Sequence, residues 1–269
     1  MRVLALLTPV TEQVLSAGEI LAMEWTRPGG PRGHVDKADI DAEIESVLRK
    51  GLLNILDCDF WGEETGVHMT GDDYCWVVDP NDGTSDFLQG RMGSAISVGL
   101  LHKNLPVLGV VYAPVTPGRG PDCISWAEGA EDIVRNGHPV RSRLDHLDLD
   151  SDGQVMVSTA ATSKPDLNAE LCMPASFVPM PSIAYRIARV AAGDGVAAAS
   201  LVPVSAHDVV GGHALLIGAK GVLLDEKGQF VTYDTAARMA KVSERCFGGA
   251  PKACQQLVGR DWGKLLSRS

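Results

Sequence analysis

Two aspartates, Asp79 and Asp82, have the residue type and the spacing that a binding site for a divalent cation requires. Asp79 and Asp82 follow an apolar run at 74–78 that predicts a buried strand. Pro80 and Gly83 cannot continue a central strand, so we expect a tight turn there. Paired carboxylates at the end of a buried strand repel each other unless a cation lies between them. Hard oxygen ligands of this kind favour Mg²⁺, with Mn²⁺ as the alternative, over Zn²⁺.

The residues after Asp82 suit a phosphate group. Gly83, Thr84 and Ser85 offer backbone N–H groups and two hydroxyls to phosphate oxygens. An ordinary Asx turn would explain the composition of this stretch equally well. The ordered string Asp-Pro-Asn-Asp-Gly-Thr at 79–84 is much harder to obtain by chance. We therefore predict a combined site for a cation and a phosphate.

Composition narrows the classes of function. A formal charge of −10 argues against partners such as nucleic acid polymers or anionic membranes. It is compatible with a small anionic substrate, because a bound metal reverses the local sign. The six cysteines form no Cys-x-x-Cys pair, and the apolar opening at 1–7 is too short for a membrane span. With no clear cleavage site either, we expect a cytoplasmic protein with reduced thiols.

Three motifs, in order along the chain, resemble those of the inositol monophosphatase superfamily. They are Trp-Gly-Glu-Glu-Thr at 61–65, Trp-Val-Val-Asp-Pro-Asn-Asp-Gly-Thr at 76–84 and Ala-His-Asp-Val-Val-Gly-Gly at 206–212. That superfamily contains Mg²⁺-dependent, lithium-sensitive phosphatases, including inositol monophosphatases, 3′(2′),5′-bisphosphate nucleotidases and fructose-1,6-bisphosphatases. The resemblance implies hydrolysis of a small phosphorylated substrate by metal-activated water.

The resemblance also implies metal ligands. One ion would be held by Glu63, Asp79 and the backbone carbonyl of Asn81. A second would be held by Asp79, Asp82 and Asp208, and a third, weaker ion would use Glu63 and water. The implied cofactor is therefore two or three Mg²⁺ ions. Because metal-activated water is the nucleophile, no nucleophilic serine, histidine or cysteine is required.

Catalytic and phosphate-binding residues follow by the same resemblance. The stretch at 35–43 is similar to a family segment whose aspartate bonds the threonine that orients the attacking water. This assigns Asp39 and Thr84 as the catalytic pair, and it assigns Gly83, Thr84 and Ser85 to the phosphate. In this superfamily a basic residue often precedes the second helix. Arg27 and Arg32 are both candidates, and the spacing does not choose between them.

Three features favour a bisphosphate nucleotidase by a slight margin over an inositol or sugar monophosphatase. Arg186 lies where nucleotidases often carry a lysine, and we expect it to hold a second phosphate. Leu201 replaces a glutamate frequent in inositol monophosphatases, and Gly-His-Ala at 212–214 resembles the nucleotidase version. His207 replaces the usual tryptophan and either contacts substrate or packs. The alternative of another class is a catalytically inactive metal- or phosphate-binding regulator.

The elements that must position these residues are predicted from periodicity and turn residues. We expect helices at 9–25, at 40–50 with Gly51 as its C-cap, and at 165–171, 182–192, 207–219 and 251–257. Strands are expected at 54–56, 60–61, 74–78, 95–101, 106–112, 123–127 and 154–159, with turns at 136–137 and 221–228.

The fold class implied by the resemblance is α/β, in the form of a layered α/β/α/β/α sandwich. We expect an N-terminal α+β, metal-binding half at residues 1–145 and a C-terminal α/β, substrate-binding half at 146–269. The two would form one compact unit with the active site between them. A homodimer is one state the resemblance allows, although the sequence itself shows no interface.

Overall fold

A computed structural model describes residues 2–266, so Met1 of the apolar opening and residues 267–269 lie outside it. The helices are α1 (Leu7–Trp25), α2 (Asp41–Ile55), α3 (Thr84–Leu88), α4 (Pro165–Cys172), α5 (Ile183–Ala191), α6 (Ala206–Gly218), α7 (Ala236–Ala240), α8 (Pro251–Val258) and α9 (Gly263–Leu266). The strands are β1 (Gly33–His34), β2 (Lys37–Ala38), β3 (Asp59–Gly62), β4 (Val67–His68), β5 (Tyr74–Asp82), β6 (Ala95–His102), β7 (Leu105–Ala113), β8 (Asp122–Ala127), β9 (Ile133–Arg135), β10 (His138–Val140), β11 (Gln154–Val157), β12 (Ser176–Pro179), β13 (Ala197–Ser200), β14 (Val222–Asp225) and β15 (Cys246–Gly249).

An eight-stranded sheet forms the first β layer, in the order β10-β9-β8-β7-β6-β5-β3-β4. Side chains alternate along β5, so its two faces enter two different hydrophobic cores. Trp76 and Val78 pack with α1 and α2, whereas Cys75 and Val77 belong to the core that contains α5 and α6. Helix α6 approaches the sheet closely, because a Cβ at Gly109 would overlap the carbonyl oxygen of Gly211. This close approach fixes the height of α6 above the sheet.

A five-stranded sheet forms the second β layer, in the order β12-β11-β13-β15-β14. Strand β11 pairs in parallel with β12 and β13, and β15 is antiparallel to both of its neighbours. Helices α5 and α6 lie between the two sheets, where Ile187 and Leu216 approach Gly248 of β15. Helices α4 and α8 complete the outer layer. The predicted layered α/β/α/β/α sandwich is therefore confirmed.

Four local predictions were wrong in extent. Gly51 lies inside α2, where an added Cβ would overlap Gln13 of α1, so this glycine permits close helix packing and does not end the helix. Residues 54 and 55 end α2 and Leu56 is its C-cap, so this stretch is not a strand. Strand β5 runs on through Asp82. The turn at 225–229 forms, but β14 pairs with β15, which the sequence did not suggest.

The two sheets use separate parts of the chain. The first is built from residues 59–140 and the second from residues 154–249. Helices α5 and α6 nonetheless share one core with both sheets, so the division at 145/146 stays a prediction. In the part of the chain that the structure describes, no helix has both the length and the apolarity needed to cross a membrane.

Candidate active site

A β-bulge in β5 presents the two central carboxylates. Asp79 pairs with Ser97 and Asp82 pairs with Ala95, so two residues of β5 face one residue of β6. A bulge leaves a residue unpaired, which explains how Pro80 is accommodated without an N–H group. Gly83 then turns the chain into α3 with a φ of 95°, a conformation that favours glycine. The bulge aims Asp79 and Asp82 into the space between the sheets.

Five side chains, in two groups of ligand atoms, define the site. The carboxylate oxygens of Asp79, Asp82 and Asp208 lie within 4.8 Å of one another, as do ligand atoms of Glu63, Asp79 and His207. Asp79 belongs to both groups and is 1% exposed. The structure thus brings together all four carboxylates that the sequence assigned to metals.

Burial and mutual repulsion oppose the charge of these carboxylates. Burial raises the pKa of Asp79 well above its usual range, and the charges of Glu63, Asp82 and Asp208 add to the shift. The pKa of Asp82 rises to about 6 through burial and then through Asp208. Burial also raises the pKa of Asp208 to about 6. A divalent cation would offset this repulsion, so the residues present fit the metal that the family motifs imply.

Helix ends hold two of the carboxylates. Asp82 accepts hydrogen bonds from the hydroxyl of Ser182 at 2.5 Å and from the N–H of Ala184 at 2.6 Å, at the start of α5. Asp208 lies in the first turn of α6 and forms a capping box with the N-cap residue Ser205. Each carboxylate keeps its second oxygen available while its orientation is set by backbone geometry.

The aspartate beside Thr84 is Asp41, so the assignment of Asp39 was wrong. Asp41 accepts from the Thr84 hydroxyl at 3.3 Å and from the Asn81 side-chain amide at 3.0 Å, whereas Asp39 is exposed. The segment at 35–45 contains the spacing Asp-x-x-x-Glu twice, at Asp39/Glu43 and two residues later. Helical periodicity could have chosen the second, because position 41 shares the buried face of α2 with residues 45, 48 and 52.

Glu45 is a site residue that sequence reasoning missed. Its side chain is fully buried and accepts hydrogen bonds from the N–H of Glu64 at 2.9 Å and from the N–H of Thr65 at 2.5 Å. The Thr65 hydroxyl donates to the same carboxylate. Glu45 therefore holds the loop at Glu64 and Thr65, and so helps to fix Glu63, which directly precedes Glu64.

Two other parts of the predicted site lie close to the carboxylates. The hydroxyl of Thr84 donates to the carbonyl oxygen of Asn81 at 2.8 Å, so the predicted carbonyl ligand already has one partner. Gly83 and Thr84 are half-buried and Ser85 is exposed, at the start of the short helix α3. Their assignment to the phosphate stays a prediction.

Arg186 does not extend into the cleft in the way we expected. It is 4% exposed, and its guanidinium donates to the carbonyl oxygens of Pro181 at 3.1 Å, Ser182 at 3.2 Å and Ala199. Its charge also lowers the pKa of Asp82, against the larger effect of burial. Arg186 thus supports the start of α5, and its predicted contact with a second phosphate stays a prediction that these backbone contacts do not favour.

The loop cation nearest to the acidic residues is Lys37, which was not among the candidates. Its ammonium lies 3.0 Å from a carboxylate oxygen of Glu64, next to Glu63. Arg32 instead donates to Glu24 through Nε at 3.0 Å and Nη2 at 2.8 Å, and Arg27 is exposed. The pairing of Arg32 with Glu24 could not be seen from spacing alone.

His207 lies at the mouth of the cluster. Its Nε2 is 3.9 Å from a carboxylate oxygen of Glu63 and 3.8 Å from one of Asp208, and its side chain is 17% exposed. Burial lowers the pKa of His207, against the opposing effect of nearby carboxylates, and so favours its neutral form. His207 therefore lies at the site, as the sequence suggested, whereas its contact with substrate stays a prediction.

Comparison with known proteins identifies the class that this fold and site define. Residues 6–258 match the model of the inositol monophosphatase family. The chain therefore belongs to the inositol monophosphatase family.

Individual relatives are more distant. A probable inositol 1-monophosphatase of Mycobacterium tuberculosis is 29% identical over 50% of this chain and 50% of its own length. A 3′(2′),5′-bisphosphate nucleotidase of Dictyostelium discoideum is 26% identical over 72% of this chain and 66% of its own length. The matched segments thus span between half and about two thirds of these relatives. The inositol monophosphatase structure from Anabaena superposes with a TM-score of 0.72 at 23% identity, covering 94% of both chains, which shows the shared fold.

Proposed function

We propose that the protein is a divalent-cation-dependent phosphomonoesterase that releases phosphate from a small molecule. The observation that carries this proposal is the Asp79 carboxylate, which is almost fully buried and belongs to both groups of ligand atoms. A chain that brings four acids together in one place gains nothing in stability from their repulsion. Their retention is explained if they bind cations for catalysis.

Glu63 and Asp79 would hold one Mg²⁺, and Asp79, Asp82 and Asp208 would hold another. When bound, paired divalent cations supply Lewis-acid stabilisation of phosphoryl oxygens and lower the pKa of water. The network of Ser182, Ala184 and Ser205 keeps the carboxylates in place without occupying all of their oxygens. Preorganised ligands of this kind lower the reorganisation needed during the reaction.

Thr84 and Asp41 are assigned to orient the attacking water. The Thr84 hydroxyl has acceptors at 2.8 Å in Asn81 and at 3.3 Å in Asp41. Burial raises the pKa of Asp41 to about 6, which places this carboxyl in the range where it can accept a proton near neutral pH. Backbone N–H groups of residues 83–85 would bind the phosphate, and Lys37 lies on the strand β2, which contacts α3.

The substrate class is open to two candidates that the relatives represent. One relative is named as an inositol 1-monophosphatase and another as a bisphosphate nucleotidase. Since Arg186 is committed to backbone carbonyls, the main reason to prefer a bisphosphate has gone. His213, in the Gly-His-Ala stretch that gave another reason, is part-buried, and its Nδ1 lies 2.9 Å from the Tyr233 hydroxyl. We therefore place a phosphate monoester with a single phosphate group ahead of a nucleoside bisphosphate.

A panel of phosphate esters tests both levels of this proposal. Phosphate release would be measured with inositol 1-phosphate, 2′-AMP, fructose 1,6-bisphosphate and adenosine 3′,5′-bisphosphate, each with Mg²⁺ and with a chelator. We expect Mg²⁺-dependent release that Li⁺ inhibits at concentrations where Na⁺ does not. Release that is equal with the chelator would contradict the metal mechanism, and a marked preference for the nucleoside bisphosphate would contradict our substrate order.

A further inference from the structure

His207 faces the carboxylates that the family motifs assign to metal, although the family usually has a tryptophan there. Its Nε2 lies 3.9 Å from Glu63 and 3.8 Å from Asp208, and it joins Glu63 and Asp79 in one group of ligand atoms within 4.8 Å. A tryptophan has no nitrogen lone pair to offer a cation, whereas a neutral imidazole does.

These distances suit a shared ion better than a direct hydrogen bond. Hydrogen bonds between nitrogen and oxygen span about 2.7–3.2 Å, so Nε2 is too far from either carboxylate. Two ligands that each lie about 2.0–2.2 Å from one cation are roughly 3 Å apart when adjacent and roughly 4 Å apart when opposite. The 3.9 Å separation between Nε2 and the Glu63 oxygen falls inside that interval.

We propose that His207 supplies a nitrogen ligand to the cation held by Glu63 and Asp79, so that this position prefers a first-row transition metal such as Mn²⁺ to Mg²⁺. This proposal rests on the proposed phosphatase function, and it concerns only the cation position formed by Glu63 and Asp79. Imidazole is a favourable ligand for first-row transition metals, whereas Mg²⁺ is bound almost entirely through oxygen.

The backbone holds His207 in a fixed place. The residue lies in the first turn of α6, next to Asp208, whose capping box with Ser205 sets the start of the helix. The close approach of α6 to β7 at Gly109 prevents the helix from shifting. Within the described residues Nδ1 is buried and has no hydrogen-bond partner. The ring is therefore oriented by packing alone, and we expect a moderate gain in affinity.

Pulsed electron paramagnetic resonance tests the ligand directly. Mn²⁺ is added to the full-length, chelator-treated protein until binding saturates, and electron spin echo modulation from ¹⁴N is recorded. We expect nitrogen modulation in the wild type and its loss in His207→Phe. His68→Phe is the matched control, because His68 is exposed on β4, away from the cluster, and it should keep the modulation.

Calorimetric titration provides the second measurement. His207→Phe should weaken Mn²⁺ binding at one site by roughly tenfold or more, while Mg²⁺ affinity changes by much less. Saturating Mn²⁺ without nitrogen modulation in the wild type overturns the role of His207 but leaves the proposed function standing. A wild type that binds neither Mn²⁺ nor Mg²⁺ overturns the proposed function as well. The wild-type spectrum decides the question even if the variant does not fold.

Discussion

Two regions of this molecule contain buried carboxylates, and the pKa values of these carboxylates are shifted in opposite directions. The acidic cluster consists of Glu63, Asp79, Asp82 and Asp208. The ionic network consists of Asp122 and Asp194 with Arg135, Arg189 and Tyr185. Asp79 and Asp122 are each 1% exposed, yet the pKa of Asp79 is raised and that of Asp122 is lowered. Burial is therefore common to both regions and cannot explain the difference.

The difference lies in the cations that the chain itself supplies. Arg135 donates to Asp122 through Nε at 2.8 Å and to Asp194 through Nη1 at 2.9 Å, and Arg189 donates to Asp194 at 2.7 Å. Burial alone would raise the pKa of Asp122 and of Asp194, but these hydrogen bonds outweigh it. The cluster has no comparable arginine bonded to its carboxylates among the described residues, so its compensating charge must come from solution.

The network also supports the cluster. Tyr185 donates to Asp122 at 2.6 Å from the first turn of α5, and the same turn holds Asp82 through Ser182 and Ala184. This hydrogen bond between the first sheet and α5 thus helps to fix the helix end that orients a metal ligand. The carboxylates of the network are neutralised by arginines of the same chain and have a structural role. The carboxylates of the cluster have no such partners and form the proposed site.

Removing a shared carboxylate from the cluster should have the largest effect. We expect Asp79→Asn to lower turnover with Mg²⁺ by roughly 1000-fold or more, because both proposed cations lose a ligand. The melting temperature without metal should stay the same or rise, since one repelling charge is gone. The rise in melting temperature that Mg²⁺ gives the wild type should disappear. Near-normal turnover would place the cations elsewhere.

Removing the central cation of the network should act on stability instead. Arg135→Met leaves the buried Asp122 without its arginine and leaves Asp194 with Arg119 and Arg189, which should cost roughly 3–5 kcal/mol of unfolding free energy in urea titrations. Turnover per folded molecule should fall far less than in Asp79→Asn, because the proposed metal ligands themselves are unchanged. Arg238→Met is the control, because its ion pair with Asp234 is exposed and should cost less than about 1 kcal/mol. Equal losses in the two variants would refute the contrast.

Two aspartates near the start of α2 sharpen the comparison within the site itself. Asp41→Asn should lower kcat by roughly 10- to 100-fold, because the carboxylate that accepts from Thr84 and Asn81 is lost. Asp39→Asn should leave kcat nearly unchanged, since Asp39 is exposed. Steady-state kinetics on both variants provide the check. A larger loss at Asp39 would restore the assignment made from the motif.

A fall in pH should have the smallest of these effects, and it should act on the stability that the ionic network provides. The pKa values of Asp122 and Asp194 are lowered in the folded protein. Their contribution to stability is therefore present above the unfolded pKa, near about 3.9, and is lost as the pH falls further, through the folded values. The difference in unfolding free energy between the wild type and Arg135→Met should thus shrink below about pH 4. A difference that stays constant down to pH 2 would argue against ionised carboxylates.

Short contiguous motifs were the part of the site that could be predicted. Asp79, Asp82 and Gly83 lie in one bulge and turn, so their geometry depends mainly on local backbone preferences. The motifs at 61–65 and 206–212 placed Glu63 and Asp208 for the same reason. Paired strands such as β6 and β7 were also predicted, because alternating apolar residues and a short turn determine a hairpin locally.

Contacts between distant segments were decided by the tertiary structure alone. Asp41 rather than Asp39 meets Thr84, 43 residues away, because packing of α2 selects which of its faces is buried. Arg186 turns to the carbonyl of Ala199, since a buried guanidinium must satisfy its donors wherever acceptors lie. Glu45 binds Thr65 across 20 residues of chain. Residue type and spacing along a sequence state which groups can react, but the direction of a side chain depends on what packs against it.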